Sequence, residues 1–206
     1  MGRTSDARER ILAAGADLFG RRSYASIGVA EICGAAGVPK GSFYYFFPSK
    51  QALALEVVNQ HWQWQRGEWL RILSTSAPIV GRLHDLFVAT AEMQSQALKG
   101  TGAVVGCLFG NLALELSAED DPVQQRLREI FEEQIDIVES ALRDAAAAGE
   151  LEPSDLRESA KAIVAQIEGL VLLAKLYNDP GQLDSLWRNS MRLLGLGDAT
   201  AGAAAQ

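Results

Sequence analysis

The sequence predicts an all-α protein, and three observations carry that prediction. Apolar residues return at helical spacing along almost the whole chain. No segment alternates apolar and polar residues between turn signals, as a half-buried strand would. The breaks between apolar runs carry Pro, Gly, Asn and Asp where helices start or stop. At 206 residues, 48% hydrophobic and 7% aromatic, the chain can fill a core, so disorder is not its main state.

The first helix takes Ala7, Ile11, Ala14 and Leu18 on one face, with Ser5 or Asp6 as its cap and Gly20 at its end. Val29, Ile32 and Cys33 mark a short second helix closing at Gly37. Pro39 suits the first turn of a third helix through Phe46, because a proline there sacrifices no helical hydrogen bond. Pro48 ends it, and Ser49 caps a long fourth helix from Lys50 to about Ser74. Beyond, the breaks predict helices near 79–98, 103–117, 122–148, 155–177 and 182–195, and the Ala- and Gly-rich tail 198–206 is read as disordered.

The net charge of -7 conceals an asymmetry. Residues 1–50 carry seven Lys/Arg (Arg3, Arg8, Arg10, Arg21, Arg22, Lys40, Lys50) against four acids (Asp6, Glu9, Asp17, Glu31), while the remainder is strongly acidic. Such a division suits one end that faces a polyanion and another that repels it. Cys33 and Cys107 stand far apart without metal-ligand spacing, and the only histidines are His61 and His84. Neither a disulfide framework, a metal site nor a cofactor is expected. The polar N-terminus and the lack of any apolar run of membrane-spanning length predict a cytoplasmic chain that does not enter a membrane.

Val29 to Phe46 fits a helix-turn-helix, with Ala35-Ala36-Gly37-Val38 as the tight turn. The second helix of that motif would enter the major groove. Lys40 can pair with phosphate or guanine, Ser42 can bond a base or phosphate, and Gly41 permits close backbone approach. Tyr44 and Tyr45 offer hydroxyls to phosphates, whereas Phe43 and Phe47 read as core. Lys50, beside the amides opening the fourth helix, can hold another phosphate.

The stretch Arg10 to Leu55, with Ala36-Gly37-Val38-Pro39-Lys40-Gly41-Ser42-Phe43-Tyr44-Tyr45-Phe46-Phe47 and Ser49-Lys50, resembles the DNA-binding domain of TetR-family repressors. The resemblance implies that Pro39, Lys40, Gly41, Ser42, Tyr44, Tyr45 and Lys50 contact double-stranded operator DNA. It implies a three-helix N-terminal domain over 1–49, joined by a long helix to a ligand-binding and dimerisation domain over 50–197. Two positions depart from the pattern: Ile27-Gly28 stands where many members have a hydroxyl pair, for which Ser26 is a substitute, and Phe46 stands where many have histidine.

The same resemblance implies a homodimer built from the last two long helices, with Ile163, Ile167, Gly169, Leu170 and Leu186 at the seam. An apolar stripe alone fits internal packing equally well. Gly106-Cys107-Leu108-Phe109-Gly110-Asn111-Leu112 is similar to the branch that includes the repressor of N-ethylmaleimide reductase, which makes Cys107 a candidate sensor, with Phe109 and Asn111 beside it. A thiol at a helix start can react as thiolate, yet an apolar setting, here Val104, Val105 and Leu108, favours an inert one. Trp62 and Trp69, seven apart on the fourth helix, are either core or a stacking wall for a ligand. The resulting expectation is a regulator, not an enzyme: a repressor released from a palindromic operator by a small-molecule or electrophile effector. A thiol enzyme at Cys107 would lack a base within a recognisable motif.

Overall fold

The computed structural model of the chain describes residues 2–116, 121–152 and 155–196; the tail 198–206 lies outside the described residues. Among the described residues every regular element is helical: α1 (Gly2–Arg21), α2 (Val29–Ala36), α3 (Lys40–Phe46), α4 (Lys50–Leu73), α5 (Ile79–Thr101), α6 (Leu108–Leu116), α7 (Asp121–Ala147), α8 (Leu156–Tyr177) and α9 (Ser185–Leu193), with 3₁₀ turns at Tyr24–Ser26 and Pro180–Asp184. The described residues pack as two compact units, one within Met1–Trp64 and Cys107–Ile130, the other within Gln65–Gly106 and Phe131–Gln206.

In the first unit, α1 packs on α2, α3 and α6. Its core is Ile11, Leu12 and Phe19 of α1, Ile32 and Cys33 of α2, Phe43 and Phe47 around α3, and Leu53 and Val57 of α4. Burying each such side chain contributes roughly 1.5–3 kcal/mol. Asp6 does not cap α1, because the helix already begins at Gly2, and the Ser5 side chain lies outside what is described. Asp6 sits inside it and pairs with Arg10 one turn on, at 3.3 Å. Where α1 passes α4, a Cβ on Gly15 would stand 2.9 Å from Leu53 Cδ2, so the helices meet closely at that glycine. Ser49 does cap α4, its Oγ accepting from the Ala52 amide at 3.1 Å.

The second unit gathers α5, α8 and α9 about Leu83, Leu86, Ile163, Val164, Ile167, Leu186 and Met191. Two charged side chains tie the start of α5. Glu150 accepts from the Ile79 amide at 2.6 Å, and the buried Arg82 donates Nη1 to the Leu73 carbonyl at the end of α4, 2.9 Å. An anion at a helix N-terminus and a cation at a C-terminus both complement the helix dipole.

The helix expected near 103–117 begins only at Leu108. Gly102, at φ +78, ends α5 in a left-handed turn that few side chains tolerate. The following non-helical backbone is held by two amide side chains. Gln94 donates Nε2 to the Gly106 carbonyl and accepts from its N–H, at 3.2 and 3.1 Å. Asn178 accepts from the Val104 amide at 2.8 Å and donates to the Gly102 carbonyl at 3.2 Å. The last expected helix, 182–195, also divides: Asp179 accepts from the Gly181 amide and the Gln182 side chain, both at 2.9 Å, which caps a 3₁₀ turn before α9 begins at Ser185.

Candidate nucleic-acid interface

The turn between α2 and α3 is built on Gly37, at φ +63, with Val38 N–H returning to the Cys33 carbonyl at 3.0 Å. Arg10 of α1 reaches across and donates Nη1 to the carbonyls of Ala36 and Gly37, at 3.0 and 3.2 Å. A guanidinium thus covers acceptors the turn leaves open. Pro39, in extended conformation, precedes α3 rather than occupying its first turn, and its carbonyl receives the Ser42 amide at 2.9 Å.

On the seven residues of α3 the two faces separate cleanly. Phe43 is buried, with Phe47 just beyond the helix stacked at 5.8 Å between ring centroids. Pro39, Lys40 and Gly41 are exposed, and Tyr44 and Tyr45 keep 53% and 76% of their surface in solvent. Ser42 and Phe46 are half-buried at the border. The outward face therefore offers one ammonium and two phenols, a donor set suited to phosphates and base edges.

Lys50 stands apart from that face. Its Nζ donates to the carbonyls of Tyr24 and Ile27, at 2.8 and 2.9 Å, and lies 4.1 Å from the centre of the Tyr24 ring. Burial pushes its pKa below the usual lysine range, opposed by the Glu115 carboxylate. Glu115, on α6, itself accepts from Ser23 Oγ at 2.7 Å and from the Ala25 amide at 3.3 Å. The 3₁₀ turn before α2 is thereby held from both sides by charged groups. Ser26 is exposed, its Oγ donating to the Ser23 carbonyl at 2.8 Å, and Gly28 is the N-cap of α2. Arg22 pairs with Glu31.

Arg10 and Glu115 are the positioning residues that sequence reading missed. Arg10 stood among basic residues that looked like phosphate contacts, and Glu115 is ninety-two positions from Ser23. No local pattern joins them.

The candidate sensing residues fall in both units. Trp62 and Phe109 are buried together in the first, ring centroids 6.1 Å apart and edge to face, with His61 against the same Phe109 ring at 5.2 Å. Burial pushes the His61 pKa down. Cys107 is half-buried immediately before α6, its Sγ accepting from the Gly110 amide at 3.4 Å, and Asn111, half-buried, gives its own N–H to the Cys107 carbonyl at 2.9 Å. Trp69 is buried in the second unit. Cys33 is a core residue whose thiol is pushed up by burial, against the opposing Lys40 charge, which suits an inert side chain.

Burial divides the residues expected at a dimer seam. Ile163, Ile167 and Leu186 lie inside their own chain and present nothing to a partner. The sequence stripe marked the inward face of α8. Its outward face carries Gly169, exposed with open space above it, flanked by the half-buried Leu170 and by Leu172 and Leu176, 52% and 69% exposed. Among the described residues no helix is long and apolar enough to cross a membrane, and no group of three His, Cys, Asp or Glu side chains is placed to hold a metal ion.

Comparison with known proteins accounts for this arrangement. Residues 11–57 match the family of bacterial regulatory proteins, tetR family, and residues 81–190 match the tetracyclin repressor-like C-terminal domain. The HTH-type transcriptional repressor DhaR of Mycobacterium sp. (strain GP1) is 32% identical over 180 residues, covering 86% of each chain. The crystal structure of regulatory protein TetR from Rhodobacter sphaeroides superposes with a TM-score of 0.81 at 30% identity, over 91% of this chain and 98% of that one. Reduced NemR of Escherichia coli shares the fold with a TM-score of 0.81 at 24% identity, over 91% and 96% of the two chains. With a helix-turn-helix whose outward face carries Lys40, Tyr44 and Tyr45, and relatives that are regulators rather than enzymes, the chain belongs to the TetR family of DNA-binding transcription regulators.

Proposed function

We propose that the protein is a homodimeric repressor that binds a palindromic operator in double-stranded DNA through α3 and lets go when a small molecule or electrophile reaches its helical body. The observation that carries this reading is the division of α3: Phe43 anchors it in the core while Lys40, Tyr44 and Tyr45 stand in solvent. Lys40 and the tyrosine hydroxyls contact the duplex, Pro39, Gly41 and Ser42 set how closely the helix approaches, and Lys50 acts by fixing the 3₁₀ turn rather than by holding phosphate. Functionally, residues 1–49 read DNA and 50–197 serve effector and partner, in the cytoplasm. Two α3 helices on a two-fold dimer would meet successive major grooves about 34–36 Å apart, so a change of a few ångström in their spacing releases the operator.

A second reading concerns the trigger. Cys107 receives the Gly110 amide at the start of α6, at 3.4 Å, which sets its sulfur against the first turn of that helix. Modification of Cys107 by an electrophile is then the release signal, with Trp62, Phe109 and Asn111 around it and Trp69 as a separate ligand wall. Fluorescence anisotropy on DNA from the protein's own promoter tests both readings. Binding without effector, lost on addition of N-ethylmaleimide and retained by Cys107→Ser, is the expected result. Release of both proteins would exclude obligatory thiol sensing, and no binding to promoter DNA would refute repression through α3.

A further inference from the structure

Gln134 is 1% exposed, on the inward stripe of α7 with Ile135, Val138 and Ala141, and among the described residues neither its side-chain nitrogen nor its oxygen has a hydrogen-bond partner. The contrast with Gln94 is instructive, since that equally buried amide has both ends satisfied by Gly106. A buried carboxamide lacking both a donor and an acceptor partner costs stability, and a chain under no functional demand would replace it with Leu or Met. Cationic help is distant along the stripe. Arg82 gives its Nη2 to the Ala141 carbonyl at 3.5 Å and its Nη1 to Leu73, and Ala141 is seven residues from Gln134, about 10 Å along the helix axis.

We propose that Gln134 is the polar contact of the effector site in the second unit, and that the ligand it reads is an uncharged, mainly apolar small molecule carrying a planar group that both donates and accepts, of the carboxamide or undissociated acid type. This rests on the ligand-responsive reading above and specifies its chemistry. The Gln134 oxygen accepts the ligand N–H or O–H while its NH₂ donates to the ligand carbonyl. The flanking Val138 and Ala141 supply apolar contact. An ionised carboxylate is disfavoured, because it would be desolvated beside a neutral amide.

The test compares hexanamide with its isosteric methyl ketone, in which a methyl replaces the amino group, by calorimetric titration of the full chain. The wild type should prefer hexanamide by about tenfold, the range of one or two neutral hydrogen bonds. In Gln134→Met that ratio should fall to about one, with a melting temperature no lower than the wild type, since an unpaired polar group has been removed. Gln134→Leu provides a second apolar replacement. A preference that persists in both variants, equal or absent binding of the two compounds by the wild type, or a large loss of melting temperature in both variants would each overturn the proposal. No DNA is needed, so a failure to bind the operator and a failure of this assignment are read separately.

Discussion

Lys50 holds Tyr24 twice, its ammonium donating to the Tyr24 carbonyl at 2.8 Å while lying 4.1 Å from the centre of the same residue's ring. A third contact, to the Ile27 carbonyl at 2.9 Å, closes the clamp over the turn that precedes α2. Lys50→Met should therefore destabilise the protein by about 2 kcal/mol, allowing for partial solvent screening. Denaturant unfolding checks this. A phosphate-binding lysine on the surface would instead leave stability unchanged and alter only DNA affinity.

Arg82 should prove structural in the second unit. Its guanidinium is buried and donates to the backbone of both α4 and α7, and among the described residues it has no carboxylate partner. Arg82→Ala uncovers the Leu73 carbonyl and leaves a cavity, for an expected loss of about 2–4 kcal/mol. Arg82→Lys should recover less than half, because one ammonium cannot reproduce the forked geometry.

His61 predicts a pH dependence. Burial against Phe109 holds its folded pKa below the usual histidine range, so the unfolded chain takes up a proton that the folded one refuses. The stability associated with neutral His61 is complete above the unfolded pKa and is lost as pH falls toward the folded one. Melting temperatures should drop between about pH 7 and about pH 5 in the wild type and drop less in His61→Phe. Equal profiles would show that His61 does not carry the effect.

The outward face of α8 is where the proposed dimer should form. Leu172→Glu with Leu176→Glu should yield a folded monomer in sedimentation velocity, because both side chains are exposed in the single chain. Ile163→Ala should instead cost about 2–4 kcal/mol of stability without selectively breaking the dimer, since its side chain is wholly internal.

The helix-turn-helix was legible because its signals are local. Gly37 supplies the positive φ, Ser49 caps α4, and Phe43 and Phe47 repeat at core spacing, all within a dozen or so residues. The late start of α6 was not legible, because Gln94 and Asn178, the amides that hold the preceding loop, lie elsewhere in the chain. The division of the expected seam residues between the two faces of α8 was not legible for a related reason. Helical periodicity finds the most apolar stripe, and here that stripe faces the chain's own core, whereas the exposed one through Ala165, Gly169, Leu172 and Leu176 opens on small residues. Lys50 looked like its neighbours on the basic N-terminal segment, and only the positions of the Tyr24 and Ile27 carbonyls distinguish it.

The most direct test of the account is the salt dependence of promoter binding by the wild type and Lys40→Ala. If the ammonium on the outward face of α3 meets DNA, the variant binds more weakly, and the slope of log affinity against log salt shallows by about 2 for a dimer that loses one contact per subunit. Equal affinity and equal slope would contradict the claim that this helix is the DNA-reading surface.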